Sequence, residues 1–105
     1  MNKPVYIVTN LWVREGSLPA FEEYERKAVH IMKRYGGSVD RVIRFPAHDN
    51  IGEYPFETHL VQFSTREMFE AFRSDADYLG LAMERETVIS KTVVLIGYEC
   101  PPYAT

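Results

Sequence analysis

The chain has 105 residues, of which 46% are hydrophobic and 26% charged, and its formal net charge is −3. That length fits one domain over residues 1–105 with a modest core, and no apolar run approaches the roughly 20 residues that span a bilayer. The acidic balance argues against a nucleic-acid partner, which calls for a basic excess. The single cysteine, Cys100, cannot close an internal disulfide. With no leader-like pattern at the N-terminus, the expected location is the cytoplasm and the expected membrane role is none.

The first element reads as a strand from Val5 to Val13, β-branched and aromatic, apolar on both faces and broken only by Thr9-Asn10. Arg14-Glu15-Gly16-Ser17 turns it. Ser17 as N-cap and Pro19 in the first turn open a helix, on which Phe21, Tyr24, Ala28, Ile31 and Tyr35 form one apolar stripe. Glu22/Arg26 and Glu23/Lys27 have the spacing of ion pairs on its wet face. Gly36-Gly37 stops the helix, because the residue after a helix end often needs positive φ. Ser38 to Phe45 alternates Val39, Arg41, Ile43 and Phe45 against Asp40, Val42 and Arg44, the pattern of an edge strand. Residues 46–55 form a long connection. Phe56 to Phe63 is a third strand. Ser64 and Glu67 have the spacing of a capping box before Met68, Phe69 and Phe72, and Ser74-Asp75-Ala76-Asp77 reads as a second cap. The second helical region therefore breaks near Ser74 and resumes from about Ala76 to Ile89. Thr92 to Tyr98 is the last strand, and Pro101 to Thr105 is a tail that cannot extend it.

The order β-α-β-β-α-β predicts an α+β, ferredoxin-like fold: a four-stranded antiparallel sheet with helices on one face. Strands that are apolar on both sides then need a second cover, and another copy of the chain is the expected partner. Tyr24, Tyr35-Gly36-Gly37, Glu67 to Phe72, Arg73-Ser74, Tyr78 and Leu81 to Arg85 resemble the dimeric α+β barrel superfamily. More narrowly they resemble one of its small bacterial domain families of unknown function, related to the antibiotic-biosynthesis-type monooxygenases. Phe69 to Ser74, followed by Tyr78 and Arg85, is the closest stretch, and the resemblance runs from Val5 to Glu99. It implies pairing sheet to sheet. Relatives in that superfamily include cofactor-free monooxygenases, haem-degrading and chlorite-decomposing proteins, and binders of small aromatic compounds.

Arg85 stands out because its helical position lies among Tyr78, Leu81, Ala82 and Ile89. A guanidinium on an apolar stripe needs either a ligand's anionic or carbonyl group, a carboxylate such as Glu57 or Glu86, or a route for its head to water. Asn10 and Trp12 share a face of the first strand and are candidate pocket walls, with core or interface as the plainer role. His59 is a candidate base near neutral pH or a satisfied core histidine. Tyr24 and Tyr78 sit on apolar helix faces, and their hydroxyls need partners that a ligand could supply. His48, Asp49 and Glu53 share a loop without metal-site spacing, so no metal is assigned. Neither half of the second helical region carries a histidine to ligate haem, and His30 is the one helical histidine, so no cofactor is assigned.

These residues predict a homodimer that holds a small organic ligand between sheet and helices. Its enzymatic form is a cofactor-independent oxygenase-like activity with Arg85 as anchor and His59 or Tyr78 moving protons. The competing expectation is a non-catalytic dimeric binding or assembly module without a ligand-sized cavity.

Overall fold

The structure is a computed structural model that describes residues 3–103. Strand β1 (Val5–Val13) leads into helix α1 (Leu18–Met32), then β2 (Ser38–Arg44), β3 (Glu57–Phe63), the short helices α2 (Arg66–Arg73), α3 (Ala76–Leu79) and α4 (Ala82–Val88), and β4 (Ile89–Gly97). The sheet order is β2-β3-β1-β4, all neighbours antiparallel. This is the ferredoxin-like arrangement. The last two residues of the tail lie outside the described residues. No helix among the described residues is long and apolar enough to cross a membrane.

Strand pairing decides which side chains meet the helices. Ile7 pairs with Val61 and Ile96, Thr9 with His59 and Val94, and Leu11 with Glu57 and Thr92. Val5, Ile7 and Leu11 are buried under the helices, as are Glu57, His59, Val61 and Phe63. The opposite parity, Tyr6, Val8, Asn10 and Trp12, therefore faces the open side of the sheet.

Several elements depart from the sequence reading. A bulge between Val39 and Arg41 shifts the register of β2 against β3. Beyond it every side chain changes face. Val42 and Arg44, expected on the side away from Val39, turn to the helix side of the sheet, at its exposed edge opposite His59 and Glu57. The cap of α2 is Thr65, whose side chain accepts from the Met68 amide at 3.2 Å, one residue later than Ser64. The second cap is Asp75, which accepts from the amides of Asp77 and Tyr78. The expected helix from Ala76 to Ile89 is interrupted at Gly80-Leu81. β4 begins at Ile89, three residues earlier than expected, because a second bulge between Trp12 and Val13 carries pairing on to Val13. On α1, Glu22 faces Arg44 at 3.6 Å and Lys27 bonds Glu84 at 2.9 Å, while Arg26 pairs with Glu23 at 2.9 Å.

Gly37 shows why α1 stops where it does. Gly36 has φ 73°, and the Gly37 amide closes the turn onto the Met32 carbonyl at 3.2 Å. A Cβ on Gly37 would collide with the side chains of Met32 and Phe63, so this turn packs directly on the core.

The core is divided. One apolar cluster gathers Val5, Ile7, Ile31, Met32, Val61, Phe63, Phe69 and Phe72. A second holds Leu11, Phe21, Tyr24, Ala28, Val88 and Ile89. Tyr78 and Leu81 touch both. Between the clusters lies a band of polar side chains, and that band is the candidate site.

Candidate functional site

A cavity of about 390 Å³ separates the sheet from the helices across this band. β1 contributes Thr9, β3 contributes His59, β4 contributes Thr92, and α1 contributes Tyr24 and Glu25; Tyr78 and Arg85 come from α3 and α4. The apolar part of the wall is Ile7, Met32, Val61, Phe63, Phe69 and Phe72. Ala82 and Leu79 are exposed and Val94 is 44% exposed, so the cavity opens between α3, α4 and the edge strand β4. Arg73 lies along this wall too, with its guanidinium over the Phe69 ring.

Arg85 is half-buried and has no carboxylate within ion-pairing distance among the described residues. Its Nη1 donates to the Tyr24 hydroxyl at 3.0 Å and its Nη2 to the Thr92 hydroxyl at 2.5 Å. Both oxygens act as acceptors, so both hydroxyl protons are free to point elsewhere. Burial pushes the Tyr24 hydroxyl well above the ordinary tyrosine value, and the neighbouring Tyr78 adds to the shift. The arrangement gives a cation flanked by two neutral hydroxyl donors, which suits an anionic or carbonyl oxygen.

His59 is fixed from behind. Its Nε2 lies 2.6 Å from Glu57 Oε2, while Glu57 Oε1 accepts from Arg44 Nε at 2.9 Å and Arg44 Nη2 at 2.7 Å. A carboxylate held by an arginine can only accept, so Nε2 carries the proton and Nδ1 is left as the open acceptor. Nδ1 lies 3.7 Å from Glu25 Oε2.

Glu25 was missed in the sequence, although its spacing carried a signal. It lies four residues after Phe21 and three before Ala28, on the margin of the same stripe. Burial pushes its carboxyl above the ordinary value; His59 in its protonated form and the Arg85 charge oppose that shift, and Glu57 adds to it.

Four of the six sequence candidates therefore converge: Tyr24, His59, Tyr78 and Arg85. Asn10 and Trp12 do not join them. Asn10 bonds Thr58 and the Val93 carbonyl on the open face. Trp12 lies under Lys91, and its Nε1 is buried with no hydrogen-bond partner among the described residues. The loop acids are separated as well: His48 pairs with Asp49 at 3.2 Å, but Glu53 bonds Lys91 at 2.6 Å.

A ferredoxin-like α+β domain with a polar cavity between sheet and helices is the class that fold and site define. The chain belongs to the family described as a domain of unknown function, DUF1330, whose model matches residues 4–98. No curated protein matches it in sequence. Among solved structures it is similar to a protein of unknown function from Rhodopseudomonas palustris, at 16% identity and TM-score 0.82, covering 97% of this chain and 86% of that one. A Pseudomonas aeruginosa protein superposes at 14% identity and TM-score 0.73, with 96% and 98% covered. SnoaB, a cofactor-independent oxygenase from Streptomyces nogalater, matches at 13% identity and TM-score 0.72, with 95% and 96% covered. At such identities the likeness concerns the fold.

Proposed function

We propose that the protein is a homodimeric, single-domain small-molecule binder whose ligand lies in the cavity between sheet and helices, with an anionic or carbonyl oxygen at Arg85. The observation that carries this reading is Arg85 itself. A guanidinium partly removed from water with only hydroxyl partners is costly, and a ligand anion would offset that cost. Tyr24 and Thr92 complete the anchor, and the phenylalanines at the other end receive the ligand's apolar part.

The likeness to SnoaB supports an enzymatic version. There His59 takes a proton from a bound substrate that then reacts directly with dioxygen, and Tyr78 moves protons beside it. His59 suits the part because Glu57 orients it and leaves Nδ1 toward the cavity.

The open sheet face supports the dimer. Leu95 is 60% exposed and Ile43 52% exposed there, beside Val8, Leu60 and Val93. An apolar sheet face of that kind marks an interface. Asn10 and Trp12 belong to this surface in the proposal, no longer to the ligand pocket.

Native mass spectrometry of protein purified from its own host tests the binding reading. A small molecule carried by the native protein and absent from an Arg85→Met variant is the expected result. No ligand on the native protein, and no binding of small aromatic carboxylates added to it, would sink the reading. Oxygen consumption that depends on the released ligand, and is lost in His59→Gln, separates the enzymatic version from a pure binder.

A further inference from the structure

We propose that the cavity takes up a small apolar monocarboxylate together with one proton, and that Glu25 holds that proton. The inference rests on the reading of Arg85 as an anion anchor and goes beyond it.

Glu25 is the only carboxylate among the described residues that line the cavity. Its surroundings are mixed. From β3 it faces His59, at 3.7 Å, and behind it Glu57, which Arg44 of β2 already neutralises. From α4 it faces Arg85, whose charge acts on it. Tyr24 beside it on α1 stays neutral, and Tyr78 of α3, Thr9 of β1 and Thr92 of β4 bring hydroxyls. Arg73 stands further out on α2 along the same wall.

Glu25 is the cavity carboxylate whose charge acts on Arg85. A ligand carboxylate seated on Arg85 would place a second negative charge against Glu25 in a space of about 390 Å³ lined mostly by apolar groups. Two carboxylates sharing one cation in such surroundings do not both stay ionised at low cost, and one of them takes a proton. The ligand keeps its charge because Arg85, Tyr24 and Thr92 hold it. Glu25 has only the more distant His59, and burial already favours its neutral form. Once protonated it becomes a donor, able to bond the ligand or His59 Nδ1. His59 is the rival proton acceptor through the same Nδ1, so the test must separate the two.

Benzoate is the probe. Titration calorimetry of the native protein in HEPES and in Tris, which differ in ionisation enthalpy, counts protons taken up per benzoate bound. We expect uptake approaching one proton where free Glu25 is ionised, with affinity falling tenfold per pH unit across that range. Glu25→Gln should bind benzoate with no proton uptake and with a flat pH profile. Side-chain 13C NMR of the native protein gives an independent readout should that variant fold poorly: the Glu25 carboxyl should titrate at higher pH with benzoate bound. Benzoate bound with no proton uptake at any pH, or with uptake that persists in Glu25→Gln and disappears in His59→Gln, overturns the proposal while leaving the anion site standing. No benzoate binding by the native protein removes both.

Discussion

Replacing Arg85 with Met separates a residue kept for a ligand from one kept for the fold. Two opposing effects set the outcome. The change removes two hydrogen bonds from a charged donor, each worth about 1.5–3 kcal/mol, and leaves the hydroxyls of Tyr24 and Thr92 without their donor. It also relieves the desolvation of a guanidinium that has no carboxylate beside it, a penalty of several kcal/mol for a fully buried ion and smaller for a half-buried one. The net change should therefore stay within about 2 kcal/mol in either direction. Adding Tyr24→Phe and Thr92→Val removes both orphaned hydroxyls, so the triple variant should be about 1–3 kcal/mol more stable than Arg85→Met alone. Urea unfolding midpoints with unchanged slopes would measure both steps, and benzoate calorimetry would report loss of binding in each variant. A loss of about 4 kcal/mol or more in Arg85→Met, with no recovery in the triple variant, would show that Arg85 is a keystone of the fold and refute the reasoning.

Glu25→Gln should change how stability depends on pH. The raised carboxyl means the native state binds more protons than the unfolded chain in a window that starts near the ordinary value of 4.5 and ends at the raised one. Native stability then falls as pH rises through that window, and the variant's relative gain grows across it and levels off above; urea midpoints at a series of pH values check this, and a constant difference would contradict it. Arg44→Leu strips the buried Glu57 of its half-exposed cation and should cost about 2–3 kcal/mol, read by the same unfolding assay. Gly37→Ala forces a methyl against Met32 and Phe63 and should lower stability by about 1–3 kcal/mol in thermal unfolding. Leu95→Arg on the open face should convert the proposed dimer to monomer in a sedimentation experiment while leaving benzoate affinity unchanged.

The order of elements was legible because each carried its own periodicity and punctuation. Val5–Val13 and α1 stand where the alternation and the Phe21–Ile31 stripe put them. Besides the cap at Thr65 and the helix break at Gly80-Leu81, what departed from the pattern depended on register. The bulge at residues 39–41 leaves no mark in the alternation of β2, yet it turns Arg44 to the helix side of the sheet and so decides that Glu57 is neutralised. The parity of β1 was equally silent, because both of its faces are apolar. Asn10 and Trp12 could be assigned to one side only once Ile7 was seen against Val61 and Ile96. Arg85 was legible since a cation on an apolar stripe is conspicuous. Glu25 was legible only in its spacing from Phe21 and Ala28, a faint mark because α1 carries several glutamates and an acid beside a stripe resembles the rest of a wet face.

The polar band bears on how that contrast should be understood. A chain selected only to fold would carry one continuous apolar core through the rows occupied by Thr9, His59 and Thr92, since each buried polar group there adds desolvation that hydrogen bonds at best balance. This chain instead splits its core into two clusters and spans the gap with Arg44, Glu57, His59, Glu25, Arg85 and Tyr24. Part of that set is well satisfied: Glu57 uses both oxygens, on Arg44 and His59. The part that faces the cavity is not. Among the described residues Arg85 has only hydroxyl partners, His59 Nδ1 has Glu25 at 3.7 Å, and Tyr24 and Thr92 act as acceptors toward Arg85. A charge-paired network behind and a cation held only by hydroxyls in front is the pattern expected when rear partners orient groups that meet a ligand. It also explains why substitutions at Arg44 and at Arg85 should differ in their cost to stability: one takes the cation from a buried carboxylate, the other removes a cation held only by hydroxyls.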